Sequence, residues 1–451
     1  MNHHSSASTV ARRHFLMQSA ALVGAASAAS SGRAQVPADP YKALVCVFLL
    51  GGNDGHNMVV PLTPALFNAY RSIRSGLALP DGNTQLVPVN TPAGVPYGLN
   101  SGLSAVAPLW AQGKLAVLAN VGMLARPVTR AQLLDGTARV PSNLFSHSDQ
   151  IVQMQTGDAN GSGGTGWGGR SMDRVLALNG SARFPASISM DGNALFCAGA
   201  SVPSASLLPG FDLGAYGMTG WPDSAAAAKA TALNQILTLD SGVQMIQAAN
   251  KVRQDAVQLS ALMRGNTGGT LATVFPGTAL GRQMQQVARL MRLRAVTGMQ
   301  RQVFFCTLGG FDTHSGQSWQ QWDLLRQLAE AMAAFYAATV EMGLAQQVTS
   351  FTMSDFGRTL QPSGSGSDHG WGNHQLLLGG AVRGGTVHGS FPIPALGGAD
   401  DANNRGVLIP SSSIDQMGAT LARWFGVPAA ELASVFPNIG QFASSNLGFM
   451  V

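Results

Sequence analysis

The sequence predicts an α/β protein, a doubly wound and mostly parallel sheet with helices on both faces. Three observations carry that prediction. Unbroken apolar runs of strand length recur along the chain, as expected of strands buried on both faces. Stretches with three- and four-residue apolar spacing lie between them and read as helices. Three of the apolar runs stop abruptly at a polar or glycine-rich loop that carries an aspartate.

Residues 43–50 (ALVCVFLL) form the first run and end at Gly51-Gly52. Residues 115–121 form the second, and 302–308 the third, stopped by Gly309-Gly310. Residues 348–353 form a fourth, stopped by Ser354-Asp355, and 375–378 a short fifth. Helices are predicted at 225–264, 278–296, 318–344 and 412–425, the last with Ser and Asp near its start. The Ser-, Pro- and Gly-rich residues 201–220 read as a long loop or insertion. No internal repeat is present.

The first 34 residues read as an address. Arg12-Arg13-His14-Phe15-Leu16 precedes a weakly apolar run over 19–29, no acid occurs before Asp39, and Gly32-Arg33-Ala34 offers a small-residue cleavage site. This is the twin-arginine form of an export signal. It implies a periplasmic or secreted mature protein, handled by the twin-arginine translocation machinery. Residues 35–451 then form one α/β domain with a helical and loop insertion around 170–300.

Composition excludes two classes. No other segment has the roughly 18 uninterrupted apolar residues that span a bilayer, so no integral membrane segment is expected. The formal charge of +5 includes Arg12, Arg13 and Arg33. Without them the balance falls to +2, 24 cations against 22 anions, which leaves no basic stripe for nucleic acid. Three cysteines without close spacing indicate neither a disulfide framework nor a thiolate metal site.

Beyond the export segment six histidines remain, all in glycine-rich or polar turns: His56, His147, His314, His369, His374 and His388. Several sit beside aspartates. Mixed carboxylate and imidazole donors are what Zn²⁺, Mn²⁺ or Fe draws on, and Ca²⁺ or Mg²⁺ where oxygens dominate. A divalent metal is therefore expected. In doubly wound sheets ligands bind beyond the carboxyl ends of the strands, which is where Asp54, Asp312 and Asp355 fall.

Asp54, in GGNDGHN, is either a ligand or the cap of a short helix. Asp312 and His314, two residues apart in GGFDTHSGQ, would point to the same side of an extended turn. Asp355, in SDFGRT, adds a third carboxylate. Arg358 beside it would stabilise a developing oxyanion or pair internally with Asp355. Asp368, His369 and His374, in SDHGWGNH, lie in the densest stretch, flanked by glycines. In NLFSHSDQ, Ser146 or Ser148 offers a hydroxyl at a helix start beside His147, an activated nucleophile or a plain cap.

In this order the motifs GGNDGHNMVVP, SHSDQ, GWGGR, GGFDTHSGQ, SDFGRT and SDHGWG closely resemble domain-of-unknown-function family 1501, over essentially the whole mature chain. That family in turn resembles a distant branch of the alkaline phosphatase and sulfatase superfamily. The resemblance implies Asp54 as the first metal ligand and Ser146 or Ser148 as the nucleophile. It implies Asp312 with His314 as the next ligands, then Asp355 or Asp368 with His369, and His374 or His388 last. No Cys-x-Pro-x-Arg segment of the sulfatases occurs.

The expected function is an exported metal-dependent hydrolase of phosphate or sulfate esters. Its substrate would be a small anionic ester or a polymer-borne phosphate or sulfate, with Arg358 and Arg170 stabilising charge. The alternative is a non-catalytic exported envelope or binding protein that retains a hydrolase-like fold.

Overall fold

The structure is a computed structural model that describes residues 40–80, 84–182, 184–210, 222–239, 242–265 and 270–451. The export segment predicted over 1–34 lies outside the described residues. Tyr41–Val451 forms one compact unit.

The strands in chain order are β1 Lys42–Leu49, β2 Val59–Pro61, β3 Leu86–Asn90, β4 Pro96–Asn100, β5 Leu115–Gly122, β6 Ser187–Ser189 and β7 Ala205–Ser206. There follow β8 Arg301–Leu308, β9 Val348–Ser354, β10 Arg358–Ser363, β11 Gly366–His369, β12 Asn373–Gly379, β13 Val387–His388 and β14 Ser412–Ser413. Nine of them build the central sheet in the order β13-β5-β12-β9-β1-β8-β6-β7, with β14 also paired to β5. The sheet is mostly parallel, and β12 alone runs against both neighbours, β5 and β9. All five predicted strands belong to it.

Strand β1 explains why this sheet forms. Seven of its eight residues are buried and it lies between β8 and β9, so both its faces are covered. Helices Ala279–Arg292 and Gln317–Glu341 pack together on one side, while Trp167–Val175 packs through Leu432–Val435 on Ile414–Phe425 on the other. Apolar residues of β1, β5, β8 and β9 meet those helices in one continuous core.

Three sequence expectations change in detail. The single helix expected over 225–264 is two, Asp223–Thr238 and Gln244–Gly265, and Gly242 between them has φ +67°. Residues 59–100 hold a small antiparallel sheet, β2-β4-β3, that no long apolar run announces. Asp368 and His369 stand on a hairpin strand, β11, paired with β10, rather than in a free glycine loop.

Helix Ile414–Phe425 is seated by a buried acid. Asp415 accepts from the Asn438 N–H at 3.1 Å and from the Ser413 hydroxyl at 3.0 Å. Burial pushes its carboxyl up to about 7, against the pull of those hydrogen bonds. A folded-state pKa raised above the unfolded value favours the fold below about pH 4 and loses that contribution as pH rises through about 7. Asp415→Asn should therefore raise Tm by a few degrees at pH 8 and give no gain at pH 4. Scanning calorimetry at the two pH values measures it, and an equal gain at both would contradict it.

Candidate metal centre

The carboxyl ends of β1, β8 and β9 converge, and the loops beyond them build a cluster. Gly51, directly after β1, makes this possible. Its φ is +111°, and a Cβ there would lie 2.4 Å from the Asp312 nitrogen, so the two loops approach as closely as backbone allows. From the other side comes the start of helix His147–Thr156. The residues before it are held in strained backbone, Asn143 at φ +49° and Phe145 at φ +78°. A bulky side chain at positive φ costs free energy that surrounding structure must offset. Here it aims the Phe145 carbonyl and the His147 ring at the cluster.

The His147 Nε2 lies 3.1 Å from His369 Nε2, and both lie 3.4 Å from the same Asp312 oxygen. Among the described residues His147, Asp312 and His369 form the group whose donor atoms all fall within 4.8 Å of one another. His314 Nε2 adjoins it, 3.0 Å from that Asp312 oxygen and 3.1 Å from His369 Nε2. Two ligands on one ion at about 2.0–2.2 Å, roughly 90–110° apart, are about 2.9–3.6 Å from each other. The observed spacings suit a shared cation.

The neighbours decide where the protons are. His369 Nδ1 is 2.8 Å from the Phe145 carbonyl, which can only accept, so Nδ1 carries the hydrogen. His147 Nδ1 is 2.7 Å from Asp355 Oδ2, and it donates there. When both rings are neutral, their Nε2 lone pairs face each other and a carboxylate. Such a face is repulsive until a proton or a cation enters it.

Titration follows the same geometry. The Asp355 hydrogen bond raises the His147 pKa against the effect of burial. Burial lowers that of His369. Burial opposes the charge on Asp312, but the Arg358 bond and the nearby cations outweigh it and hold the carboxyl down at about 2. Asp312 is 48 % exposed, so the cluster opens to solvent. Phe356 closes its other side, its ring 4.7 Å from that of His147 and 4.8 Å from that of His369.

A family model described as a protein of unknown function, DUF1501, matches residues 41–409. The chain belongs to this family. The DUF1501 match includes every residue of the cluster. No curated protein sequence matches the chain. Among solved structures it is similar to Ps i-CgsB in complex with k-i-k-neocarrahexaose, at 9% identity over 88% of this chain and 74% of that one, TM-score 0.37. Ps i-CgsB without that oligosaccharide in its description gives 10% identity over 88% and 77%, TM-score 0.35. The PsFucS1 sulfatase from Pseudoalteromonas sp. gives 10% identity over 86% and 68%, TM-score 0.33.

Not every residue singled out in this DUF1501 sequence joins the cluster. Asp54 is turned away. Its Oδ1 caps helix Gly55–Met58 by accepting from the His56 N–H at 3.0 Å, and its Oδ2 takes Arg74 and Gln317. Asp54 and Arg74 form an ion pair with both side chains fully buried, so Asp54 is a structural acid. Asp355 stands behind the cluster: it is 1 % exposed, accepts from the Gly51 N–H at 3.1 Å and orients His147. Asp368 pairs with Arg405 at 2.7 Å and reaches His314 only at 3.5 Å.

Arg358 is not free for substrate. Its guanidinium is buried and donates to the carbonyls of Gly51, Gly52, Phe311 and Ser367 and to Asp312. It locks the loops and the Asp312 carboxylate together. Arg170 is likewise spent on the carbonyls of Thr156, Thr165 and Val435. His374 is buried elsewhere, its Nδ1 accepting from the Asn120 N–H at 3.1 Å and its ring 4.7 Å from Phe391. Burial pushes its pKa down to about 3 and that of His56 to about 4. His388 bonds the Arg383 carbonyl at 2.8 Å.

Ser146 and Ser148 flank His147 at the helix start. Their hydroxyl oxygens are 3.1 Å apart, and both point at Asp149, which Asn143 also holds. Neither hydroxyl caps a backbone N–H of the helix. The sequence reading missed Phe356 and Arg74. Phe356 follows Asp355 directly and had a positional signal. Arg74 ends the helix Pro64–Arg74, and nothing in its surroundings marks it as the partner of Asp54.

Proposed function

We propose that this protein is a metal-dependent hydrolase of phosphate or sulfate esters whose ion is held by His147, Asp312 and His369, with His314 beside them. The observation that carries the reading is the pair of Nε2 atoms at 3.1 Å, each ring fixed by its Nδ1 bond, facing one carboxylate oxygen. Two imidazoles and a carboxylate favour Zn²⁺, Mn²⁺ or Fe²⁺ over Ca²⁺ and Mg²⁺, which prefer all-oxygen shells. When bound, such an ion polarises an ester oxygen and lowers the pKa of a hydroxyl or water nearby.

The chain supplies the rest. Asp355 holds the His147 Nδ1 proton and keeps its Nε2 turned inward. Arg358 holds Asp312 ionised and in place. Phe356 excludes water from one side of the two rings. Ser146 and Ser148 stand next to His147 in sequence and remain the hydroxyls for attack on the ester, with Asp149 as their hydrogen-bond acceptor. The Arg12-Arg13 segment supports export by the twin-arginine route. Cell fractionation of a double variant, Arg12→Lys with Arg13→Lys, tests it by loss of the extracytoplasmic form.

The decisive experiment is metal analysis of the purified mature protein, then assay of the loaded protein on phosphate monoesters, phosphate diesters and sulfate esters. Turnover that disappears with chelation and returns with the ion supports the reading. Bound metal without any turnover favours the binding-protein alternative. One observation leans that way: Arg358, Arg170 and Arg405 all have protein partners, so none of these three stands ready for an anion. A narrower test concerns the supporting acid. Asp355→Asn should weaken metal binding by about 10–100-fold, as loss of an outer partner of a ligating histidine does. Competition with a chromogenic chelator measures it, and an unchanged affinity would remove Asp355 from the account.

A further inference from the structure

Helix Gln317–Glu341 begins three residues after His314 and carries two exposed tryptophans in its first turns, Trp319 at 68 % and Trp322 at 43 % exposure. A helical side chain covers the surface over the turn preceding its own Cα, so Trp319 lies back over the loop that brings His314 to the cluster. Gly316 records this contact. It has φ +57°, and a Cβ there would lie 3.1 Å from the Trp319 indole nitrogen. Asp312, His314, Ser315, Ser318 and Trp319 are all exposed. Trp322 is a fixed neighbour, its indole N–H donating to the Ser101 hydroxyl at 3.1 Å and its ring under the Arg326 guanidinium.

We propose that Trp319 is a stacking platform for a sugar ring of a polymer-borne ester, placing the charged group of that sugar toward His314 and Asp312. The inference rests on the hydrolase reading above for the direction of the substrate but not for the binding itself. An indole offers a flat apolar face with a polar edge, which matches the C–H face and hydroxyl rim of a pyranose. The surroundings are hydroxyls and amides: Ser315, Ser318 and Gln320, whose amide donates to the Ser315 carbonyl at 3.0 Å.

A nucleic acid fits less well. It would need free cations along the platform, and the nearest guanidinium on this helix, Arg326, is held by Asp323 at 2.7 Å and Glu330 at 2.9 Å. A protein face or membrane would need a broad apolar patch. Beyond Trp322 the next exposed large apolar residue on this helix is Val340, roughly 27 Å further along the axis at 1.5 Å per residue. The platform is the size of a ring.

The test uses the mature protein, metal-free and metal-loaded, with dextran sulfate, chondroitin sulfate and a sulfated galactan, each beside its desulfated form, and polyuridylic RNA as the rival. Binding is read by tryptophan fluorescence and by retardation in polysaccharide-containing gels. At least one polysaccharide should bind the wild type, Trp319→Ala should weaken it by about tenfold or more, and Trp319→Phe should stay within about threefold. Metal content should be the same in all three. No polysaccharide bound by the wild type, unchanged binding in Trp319→Ala, or Trp319-dependent binding of the RNA instead would overturn the proposal. Trp319-dependent polysaccharide binding without ester turnover would sink the hydrolase reading alone. Turnover with Trp319-independent binding would sink the platform alone.

Discussion

Asp312→Ala should strip the metal from this protein and with it any ester turnover. The expected loss of affinity exceeds about 100-fold, because removing a ligand costs more than removing an outer partner of one. Among the described residues Asp312 is the one anion that His147, His314 and His369 all approach, at 3.4, 3.0 and 3.4 Å. It is also the carboxylate partner of Arg358, so the variant has a second effect. Arg358 keeps four backbone carbonyls, and because Asp312 is half-exposed water can take the place of its carboxylate, so the fold should lose only about 1–3 kcal/mol, the cost of one charged hydrogen bond. Asp312→Asn separates the two effects, since an amide oxygen still accepts from Arg358 but offers the ion no charge. Elemental analysis after gel filtration, with urea unfolding of the metal-free forms, measures both. Wild-type metal content in Asp312→Ala would end the proposal of a shared centre here.

The sheet was legible because its strands are buried on both faces and leave uninterrupted apolar runs, as β1, β8 and β9 do. The small sheet of β2, β3 and β4 was not. Its segments are short, all three carry Pro and β4 also carries Gly, so they read as loop. The hairpin of β10 and β11 was hidden for a similar reason: Gly364 and Gly366 look like a free loop until their turn is seen to join paired strands.

At the site, position after a strand end was informative and residue type alone was not. Asp312 and Asp355 were found because they follow β8 and β9, and His369 because it stands beside an aspartate in a glycine-flanked stretch. The division of labour between them was invisible. Whether a carboxylate ligates or orients depends on which imidazole nitrogen it faces, and a sequence holds no record of that. His147 read as a companion of a nucleophile because nothing local announces that its Nε2 would meet His369 across more than 200 residues of chain.

Asp54→Ala is the sharpest separation of sequence pattern from structure, and it should destabilise the protein by about 3–5 kcal/mol while leaving metal stoichiometry unchanged. The magnitude follows from what stays behind. Arg74 is fully buried, and apart from Asp54 it bonds only neutral oxygens, those of Asn57, Thr359 and Leu360. Removing the carboxylate leaves a buried cation with no anion, and also frees Gln317 and the His56 N–H that Asp54 accepts. Breaking such a pair costs far more than the pair contributes relative to an apolar substitute. The double change Asp54→Leu with Arg74→Met should therefore recover most of the loss, since neither residue would then carry an unpaired charge. Urea unfolding of the metal-free proteins gives the stabilities, and elemental analysis of the folded fraction gives the stoichiometry. A stable Asp54→Ala protein without metal would return Asp54 to the ligand set and displace the triad of His147, Asp312 and His369 as the complete donor group.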